Sequence, residues 1–571
     1  MSNSNFGGYF EDIPFRIPFG KQNGKPNRPF EPDLTPRPPA KRLVRDFSNK
    51  NKNIRLEIYH PMERSPFIIQ DGQIASVNST RSIDGNNQIS LDFRGGTVFL
   101  DRLLPGTGTL DTSNRLEISP LLAFPDGGIV ILKINAGNDN FRQLNLGYID
   151  QNDFRLSPSD MGFSLVIPGI EKRIMQNKFF IDQIRPKEEA IESQLYDAPL
   201  LSNADLLVAF SEIASKFQDL KPLLNSIWDK LIYRTNRVNR LNGTPFSYGG
   251  LPLLSKSDDV SDGGFLRFQQ PYNESYTSNF LNVFQYLQQA TNVGSQIDFW
   301  EILSSYATPP LYELFCDPLE GDSVLRGESG YTVDKNSASL VFRKTPLDKM
   351  FDADGEWTFE EEEHYLINPA ELLDYKVSRS FGNVYSGVHV GMNSIGEFLN
   401  LALVKPSWDN VLRAIYGLKL LPVKLPGFPY LEPKEAKRKD NMDSTKTRLK
   451  EIQDRLQKIF VNHKSMKHLT GTFTVPFTLF RVGTPFKNSL MSFGENRLNT
   501  SLERESSDFP LTGYITGVND RISIDDKTAD TTVQFKWATE PYLNQNVGLG
   551  LLDQKVAIRD EDLALFEFRR L

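Results

Sequence analysis

Ser79-Thr80-Arg81-Ser82-Ile83-Asp84-Gly85-Asn86 is the stretch on which the fold turns, because it has a counterpart in Val377-Ser378-Arg379-Ser380-Phe381-Gly382-Asn383. A second shared signature follows each of them, Gly147-Tyr148-Ile149 after the first and Gly513-Tyr514-Ile515 after the second. The arginine-to-glycine interval is 66 residues in the first copy (81 to 147) and 134 in the second (379 to 513), a surplus of 68. That surplus is close to the length of Asn393 to Lys467, a Pro-rich and helical stretch that does not read as β. Without it the two copies nearly superpose, and an internal repeat sets the architecture before any local element does. The fold class expected is α+β, mainly β, with two tandem β-barrel domains and helical intervening and inserted segments.

Working outward, residues 54–170 read as the first barrel or tightly curved sheet. Arg55–Tyr59 and Gln88–Phe93 alternate with period two, as half-buried strands do, and Gly128–Ile134 reads as a more buried strand. Asp84-Gly85 predicts a hairpin between Ile74–Ile83 and Gln88–Phe93, since glycine tolerates the positive φ of such turns. Residues 171–335 read as a mainly helical linking domain. Ser202 caps one helix, with Asp205 at its third position and Pro222 ending it; a second starts at Ser275 with Phe280, Leu281, Phe284 and Leu287 on one face; a third runs from Gln296 to Tyr306 before Pro309-Pro310. The second barrel occupies 336–392 plus 468–545, starting near Ser339–Arg343 and closing with a hairpin of Tyr514–Ile524 against Thr531–Trp537. The insertion, 393–467, carries an amphipathic helix, Ser444 to Phe460, with Leu449, Ile452, Leu456, Ile459 and Phe460 facing inward. Residues 546–571 form a charged C-terminal tail.

At 571 residues the chain is long enough for three or four domains. Its 40 Phe and 19 Tyr favour strands. No apolar run reaches 18 residues, so no segment is expected to insert in a membrane. The N-terminus lacks the pattern of a secretory signal, which makes cytoplasmic synthesis the default expectation. Net charge is −7, but residues 1–56 hold 11 Lys/Arg against 5 Asp/Glu. Residues 1–53 therefore read as an extended, basic arm, kept out of a packed core by Pro14, Pro18, Pro26, Pro29, Pro32, Pro36, Pro38 and Pro39. The arm lacks the aromatic interleaving of a single-strand binder, so docking onto protein is the expectation.

Signals for chemistry are weak, and no catalytic, cofactor-binding or metal-binding residue is assigned. His463 and His468 are five apart, not the i, i+4 pair of a helical zinc site, and read as surface polar residues before a strand. Glu360-Glu361-Glu362-Glu363-His364 is the densest acid cluster but lacks calcium-loop spacing, and reads as a solvated loop. Gly20–Lys25 lacks P-loop spacing, and there is no GxSxG element. Cys316, the single cysteine, excludes an intrachain disulfide and reads as a buried structural thiol. Trp300, with Phe299 and Ile302, reads as the core anchor of a helix. Paired carboxylates for glycoside hydrolysis stay open, because geometry decides them and sequence does not show it.

Several segments together resemble the baseplate hub proteins of contractile-tailed phages, a group that includes late-control D-type tail proteins and related contractile injection system hubs. Ile74–Gly85 is similar to that family's first strand pair. Asp298–Leu303 with Pro310–Asp317 looks like its helix before the second barrel, and Leu340–Leu347 resembles the strand that follows. Gly513–Asn519, Ile522–Ile524 and Thr531–Phe535 look like its closing hairpin. The matches run from about residue 54 to 540, each loose and specific only as an ordered set. The chain departs from the family in its basic arm and its 393–467 insertion, and it has no appended spike or lysozyme module.

The resemblance implies two tube-like β-barrels per chain and a homotrimer whose six barrels form a ring, matching a sixfold tube above and a threefold spike below. It implies a structural protein without cofactor, located in the virion tail baseplate and assembled in the host cytoplasm. The implied partners are further copies of the chain, tail tube or tube-initiator proteins and the central spike, with DNA only as passing cargo. The arm, including Lys41, Arg42 and Arg45, is the expected tether to a neighbouring baseplate protein. Two other classes stay open at this point: a tail-associated cell-wall-degrading enzyme and a receptor- or glycan-binding tail protein.

Overall fold

The computed structural model describes most of residues 54–180, parts of 221–277, 296–392, 404–488 and 511–539. The arm with Lys41, Arg42 and Arg45, Gly20–Lys25, His463, the helix expected from Ser202 and the tail from 546 lie outside the described residues.

Ten strands make up the first part: β1 (Ile54–Tyr59), β2 (Phe67–Gln70), β3 (Ile74–Ser82), β4 (Gln88–Phe93), β5 (Val98–Leu103), β6 (Leu110–Ile118), β7 (Ile129–Asn135), β8 (Phe141–Tyr148), β9 (Arg155–Ser157) and β10 (Gly162–Pro168). After a short helix α1 (Glu171–Gln176) and a helix α2 (Phe299–Tyr306) come β11 (Tyr312–Asp317), β12 (Ala338–Lys344) and β13 (Asp374–Arg379). Helix α3 (Arg438–Phe460) precedes β14 (Leu469–Pro476), β15 (Pro485–Asn488), β16 (Leu511–Ser523) and β17 (Thr528–Thr539). The described fold is mainly β, and no described helix is long and apolar enough to cross a membrane.

Six strands form one antiparallel sheet in the order β6-β5-β2-β1-β7-β8. The larger sheet runs β13-β14-β17-β16-β3-β4-β10-β9, with β15 pairing the first half of β16 and Tyr365–Ile367 pairing β15. All seven junctions along that path are antiparallel. The path contains one order twice. β3-β4-β10-β9 and β13-β14-β17-β16 each start with the strand that bears the repeated arginine, continue to the next in that hairpin, and end on a hairpin pair in reverse chain order. The 393–467 insertion sits in the connection between β13 and β14, where the first arm has the tight Asp84-Gly85 turn with Gly85 at φ 74°.

β16 joins the two arms. Its first half, Leu511–Tyr514, pairs with β15 and its second half, Gly517–Ser523, with β3. Of two irregularities in its ladder with β17, one lies within the first half at Thr512/Tyr514 and the other, Ile515/Gly517, falls between the halves. Such bulges bend a strand and let it change partners. In the first arm the same span is broken into β8 and β9, and an isolated bridge from Gly147 to Gly169 holds β8 to the end of β10.

The two arms are backed differently. Behind the first, Val77, Ile89, Leu91, Phe163, Leu165 and Ile167 meet Leu56, Ile58, Val130, Leu132 and Ile134 of the six-stranded sheet, and Ile522 of β16 joins them. Behind the second lies an aromatic cluster in which Phe473 has ring neighbours Phe480, Phe486 and Phe535 at 5.1 to 6.1 Å. α3 buries Leu449, Leu456 and Ile459 as its spacing predicts, and Phe460 reaches Trp537 of β17 at 5.2 Å.

Several expectations are corrected. β1 is not half-buried: Glu57 on its second face is 3% exposed because Lys133 and Tyr59 both bond it, so an apparently polar face is interior. Gln296–Asp298 is a short strand against Lys178–Phe180, and the helix starts at Phe299, where the Asp298 carboxylate accepts from Glu301 N at 2.7 Å. Tyr276–Thr277, expected in a helix, pair with Phe428–Pro429 as a short strand. β11 falls within the span expected to be mainly helical, and all six of its residues are buried. The insertion also contains a strand, Leu420–Leu425, whose alternate residues Leu421, Val423 and Leu425 are buried beside Gly387–Met392.

Candidate functional site

The candidate site is the second face of the large sheet. In antiparallel pairs facing residues share a face and alternate residues change face, so the register assigns each side chain. One face carries the buried residues named above. The other carries Asp374, Lys376 and Ser378 on β13; Thr470, Thr472 and Thr474 on β14; and Asp530, Thr532 and Gln534 on β17. It continues with Asn519, Arg521 and Ser523 on β16, Ser76, Asn78 and Thr80 on β3, Gln88, Ser90 and Asp92 on β4, and Ser164 and Val166 on β10. None of the twenty is fully buried.

Rows cross both arms without interruption. Asp374 faces Thr474, Thr474 faces Thr532, Thr532 faces Asn519, Asn519 faces Thr80 and Thr80 faces Gln88. Neighbours in these rows hydrogen-bond: Thr474 Oγ1 to Thr532 Oγ1 at 3.0 Å, and Ser164 Oγ donating to Asp92 at 2.7 Å, with Ser76 Oγ donating to the same carboxylate. Three acids, Asp92, Asp374 and Asp530, stand against two bases, Lys376 and Arg521. Hydroxyl and amide groups dominate. Partial burial pushes the Asp530 carboxyl above its ordinary value, with Arg521 opposing that shift. Such a face is wet and close to neutral, without a basic cluster to hold phosphates.

Buried arginines fix the geometry behind it. Arg81 of β3 is 1% exposed and bonds Asp520 of β16 at 2.5 Å and Phe480 O at 2.7 Å, and Thr531 donates to the same aspartate. This pair locks the junction between the arms. Arg343 of β12 holds Glu313 of β11 at 2.6 Å, while the Tyr514 hydroxyl of β16 donates to Glu313 at 2.7 Å. Arg481 bonds Asp317, Leu319 O and Gly321 O, and Tyr331 donates to Asp317 at 2.7 Å. Burial opposes the charge on Arg343 and Arg481, but the facing carboxylates outweigh it and hold both guanidinium groups ionised. Breaking one side of such a pair strands a buried charge at a cost of about 3–5 kcal/mol.

The residues weighed for chemistry do not converge. Cys316 is fully buried on β11, where burial and the neighbouring Glu171 push its thiol up, away from a nucleophilic thiolate. His468 is buried and not on the surface, being carried inward by the start of β14. Glu363 is also buried, paired with Lys349 at 2.5 Å, and not solvated; Glu360–Glu362 lie outside the described residues. Trp300 is half-buried and not central to the core; its ring lies over the Gly85 turn of the β3–β4 hairpin. Among the described residues no group of three or more His, Cys, Asp or Glu is arranged to hold a metal. The polar face itself was missed, although Thr470-Gly471-Thr472-Phe473-Thr474 alternates hydroxyl and apolar positions openly.

No family model matches the chain, and no curated protein matches it in sequence. Solved structures do. A tail protein from Neisseria meningitidis MC58 is similar at 8% identity and TM-score 0.35, over 85% of this chain and 96% of that one. A 43 kDa tail protein of prophage MuSo2 from Shewanella oneidensis is similar at 10% identity and TM-score 0.35, over 86% and 98%. An E. coli component of the type VI secretion system, described as structurally similar to the T4 tail proteins gp27 and gp5, is similar at 7% identity and TM-score 0.29, over 85% and 77%.

Proposed function

We propose that the chain is a structural baseplate hub protein of a phage tail or a related injection machine, in which three copies close a pseudo-sixfold ring that joins the tail tube to the central spike. The observation that carries this reading is the repeated strand order. One chain holds two four-stranded arms joined head to tail in a single sheet, and the path ends on unlike strands, β9 and β13. Unlike ends make a heterologous contact, which closes into a ring when the rotation per copy divides the circle. Eight path strands from each of three copies make 24. At about 4.8 Å per strand and a tilt near 40°, such a ring is roughly 45–50 Å across between backbones, far too wide for side chains to fill.

The polar face lines the channel in this reading. Its near-neutral hydroxyl and amide surface suits DNA as passing cargo, since a passage lined with cations would retain the phosphates. The two barrels are the 54–170 and 336–392 plus 468–545 domains, and the tube, the spike and, through the 1–53 arm, a neighbouring baseplate protein are the partners. The protein's place is the virion tail.

Negative-stain images of the full-length protein test the reading. A ring with six similar lobes supports it, and a compact particle without an axial hole contradicts it. A peptidoglycan zymogram separates the enzyme alternative, because the hub leaves no cleared band.

A further inference from the structure

We infer that Glu171 is a proton-held latch: its neutral carboxyl closes the β3–β4 turn, α1 and β11 on one another, and its ionisation opens that joint while the sheets stay folded. The device belongs to the single chain, whether or not copies form a ring.

Asn87, immediately before β4, is the residue that is held, and each of its polar groups serves a different element. Its N–H donates to Glu171 Oε1 of α1 at 3.0 Å, and its Nδ2 donates to Cys316 O of β11 at 2.8 Å. Its Oδ1 accepts from Ser82 N of β3 at 2.9 Å, and its O accepts from Gly169 N, just after β10, at 2.7 Å. Asn87 is 4% exposed and Glu171 2%, so water does not replace a lost partner in the closed joint. A Cβ on Gly169 would come within 2.3 Å of Glu171 Oε2, so the glycine makes room for the carboxyl against the backbone.

The carboxyl has little to balance a charge. Its Oε2 has no hydrogen-bond partner among the described residues. The surrounding elements bring Asp84 in the turn, Tyr148 of β8, Cys316 and Asp317 of β11 and Glu301 of α2, each neutral or anionic. Asp317 is already engaged by Arg481 and Tyr331. The cations of α1 serve elsewhere: Arg173 lies 5.7 Å over the Tyr148 ring with its Nε unbonded, and Lys172 is exposed. A buried carboxylate with one backbone N–H on Oε1 and no cation is costly, and the neutral acid avoids that cost. Burial accordingly raises the group from 4.5 to about 7. The closed joint thus binds the proton more tightly than the open one. Its closure is whole below pH 4.5 and is lost as pH rises through about 7.

Cys316 reports the joint, because it is the chain's single cysteine, is fully buried and carries the carbonyl that Asn87 binds. The test labels the full-length protein with a dithiodipyridine reagent on both sides of that pH window. Dividing the rate by that of glutathione at the same pH removes the thiol's own ionisation. The ratio is expected to rise about tenfold per pH unit through the window and to level off above it, with far-UV circular dichroism unchanged. Glu171→Gln, which keeps a carbonyl acceptor and carries no charge, should hold the ratio flat. Hydrogen exchange of the parent needs no substitution: exchange in 83–93 and 312–317 should quicken above the window while the six-stranded sheet stays protected. A parent ratio that does not change with pH overturns the latch. So does a rise that Glu171→Gln shares, which places the proton elsewhere. A rise that coincides with loss of the far-UV signal, or exchange that quickens in every strand alike, overturns the local opening.

Discussion

The two arms of the large sheet share a strand order but not a backing. Aliphatic residues of a second sheet support the first, whereas aromatic rings and α3 support the second. What repeats is therefore the polar face and the ladder that builds it. The interior behind each arm has only to be apolar and filled, which many side-chain sets satisfy. The polar ladder is thus preserved while the side chains that support it differ.

The sharpest way to break that comparison is at the repeated arginine. Arg81→Ala leaves Asp520 buried without its cation and is expected to cost about 3–5 kcal/mol in urea unfolding. Arg379→Ala, at the matching but exposed position, should change the stability of the unassembled chain by no more than about 0.5 kcal/mol. Equal losses would mean that the two places are not equivalent in ladder and unlike in cover.

A second difference is titratable. Glu171, at the end of the first arm, is buried beside Cys316 and accepts from Asn87 N at 3.0 Å, and burial raises its carboxyl from 4.5 to about 7. The neutral acid is the form the fold prefers, so its contribution is whole below pH 4.5 and is lost as pH rises through about 7. The loss is on the order of 3 kcal/mol. Melting temperatures of the parent should fall across that window, and Glu171→Gln should flatten the fall; a parallel decline in both would clear Glu171 of the effect.

The tight turn of the first arm offers a smaller test. Gly85 has φ 74°, and an added Cβ meets the Trp300 ring at 2.5 Å; Gly95 has φ 85° and open space. Gly85→Ala should cost about 2–3 kcal/mol and Gly95→Ala about 1 kcal/mol, the second from backbone strain alone. Similar values would remove Trp300 from the account of the hairpin. The least effect is expected of Asp525→Ala, which removes an exposed pair with Arg94 at 2.9 Å and should shift stability by about 0–1 kcal/mol, less in high salt.

What could be read from sequence was local or repeated. Asp84-Gly85 announces the β3–β4 hairpin, Asp525–Thr528 turns β16 into β17, and the apolar spacing of α3 shows its buried face. β11 was hidden because Glu313 and Asp317 look like surface residues until Arg343 and Arg481, far along the chain, neutralise them. The strand at Leu420–Leu425 was masked by its proline, Pro422, which sits outward in the alternation. The joint of β3 to β16 leaves no local trace at all, since Arg81 and Asp520 are 439 residues apart. Long-range pairing of this kind is set by register and burial, which only the folded chain displays.

Native mass measurement of the full-length protein over a range of concentrations tests the central claim most directly. A closed species of three times 64.9 kDa, with no larger open polymer, is the predicted result. A protein that stays at one or two chain masses under conditions where it is folded would contradict it.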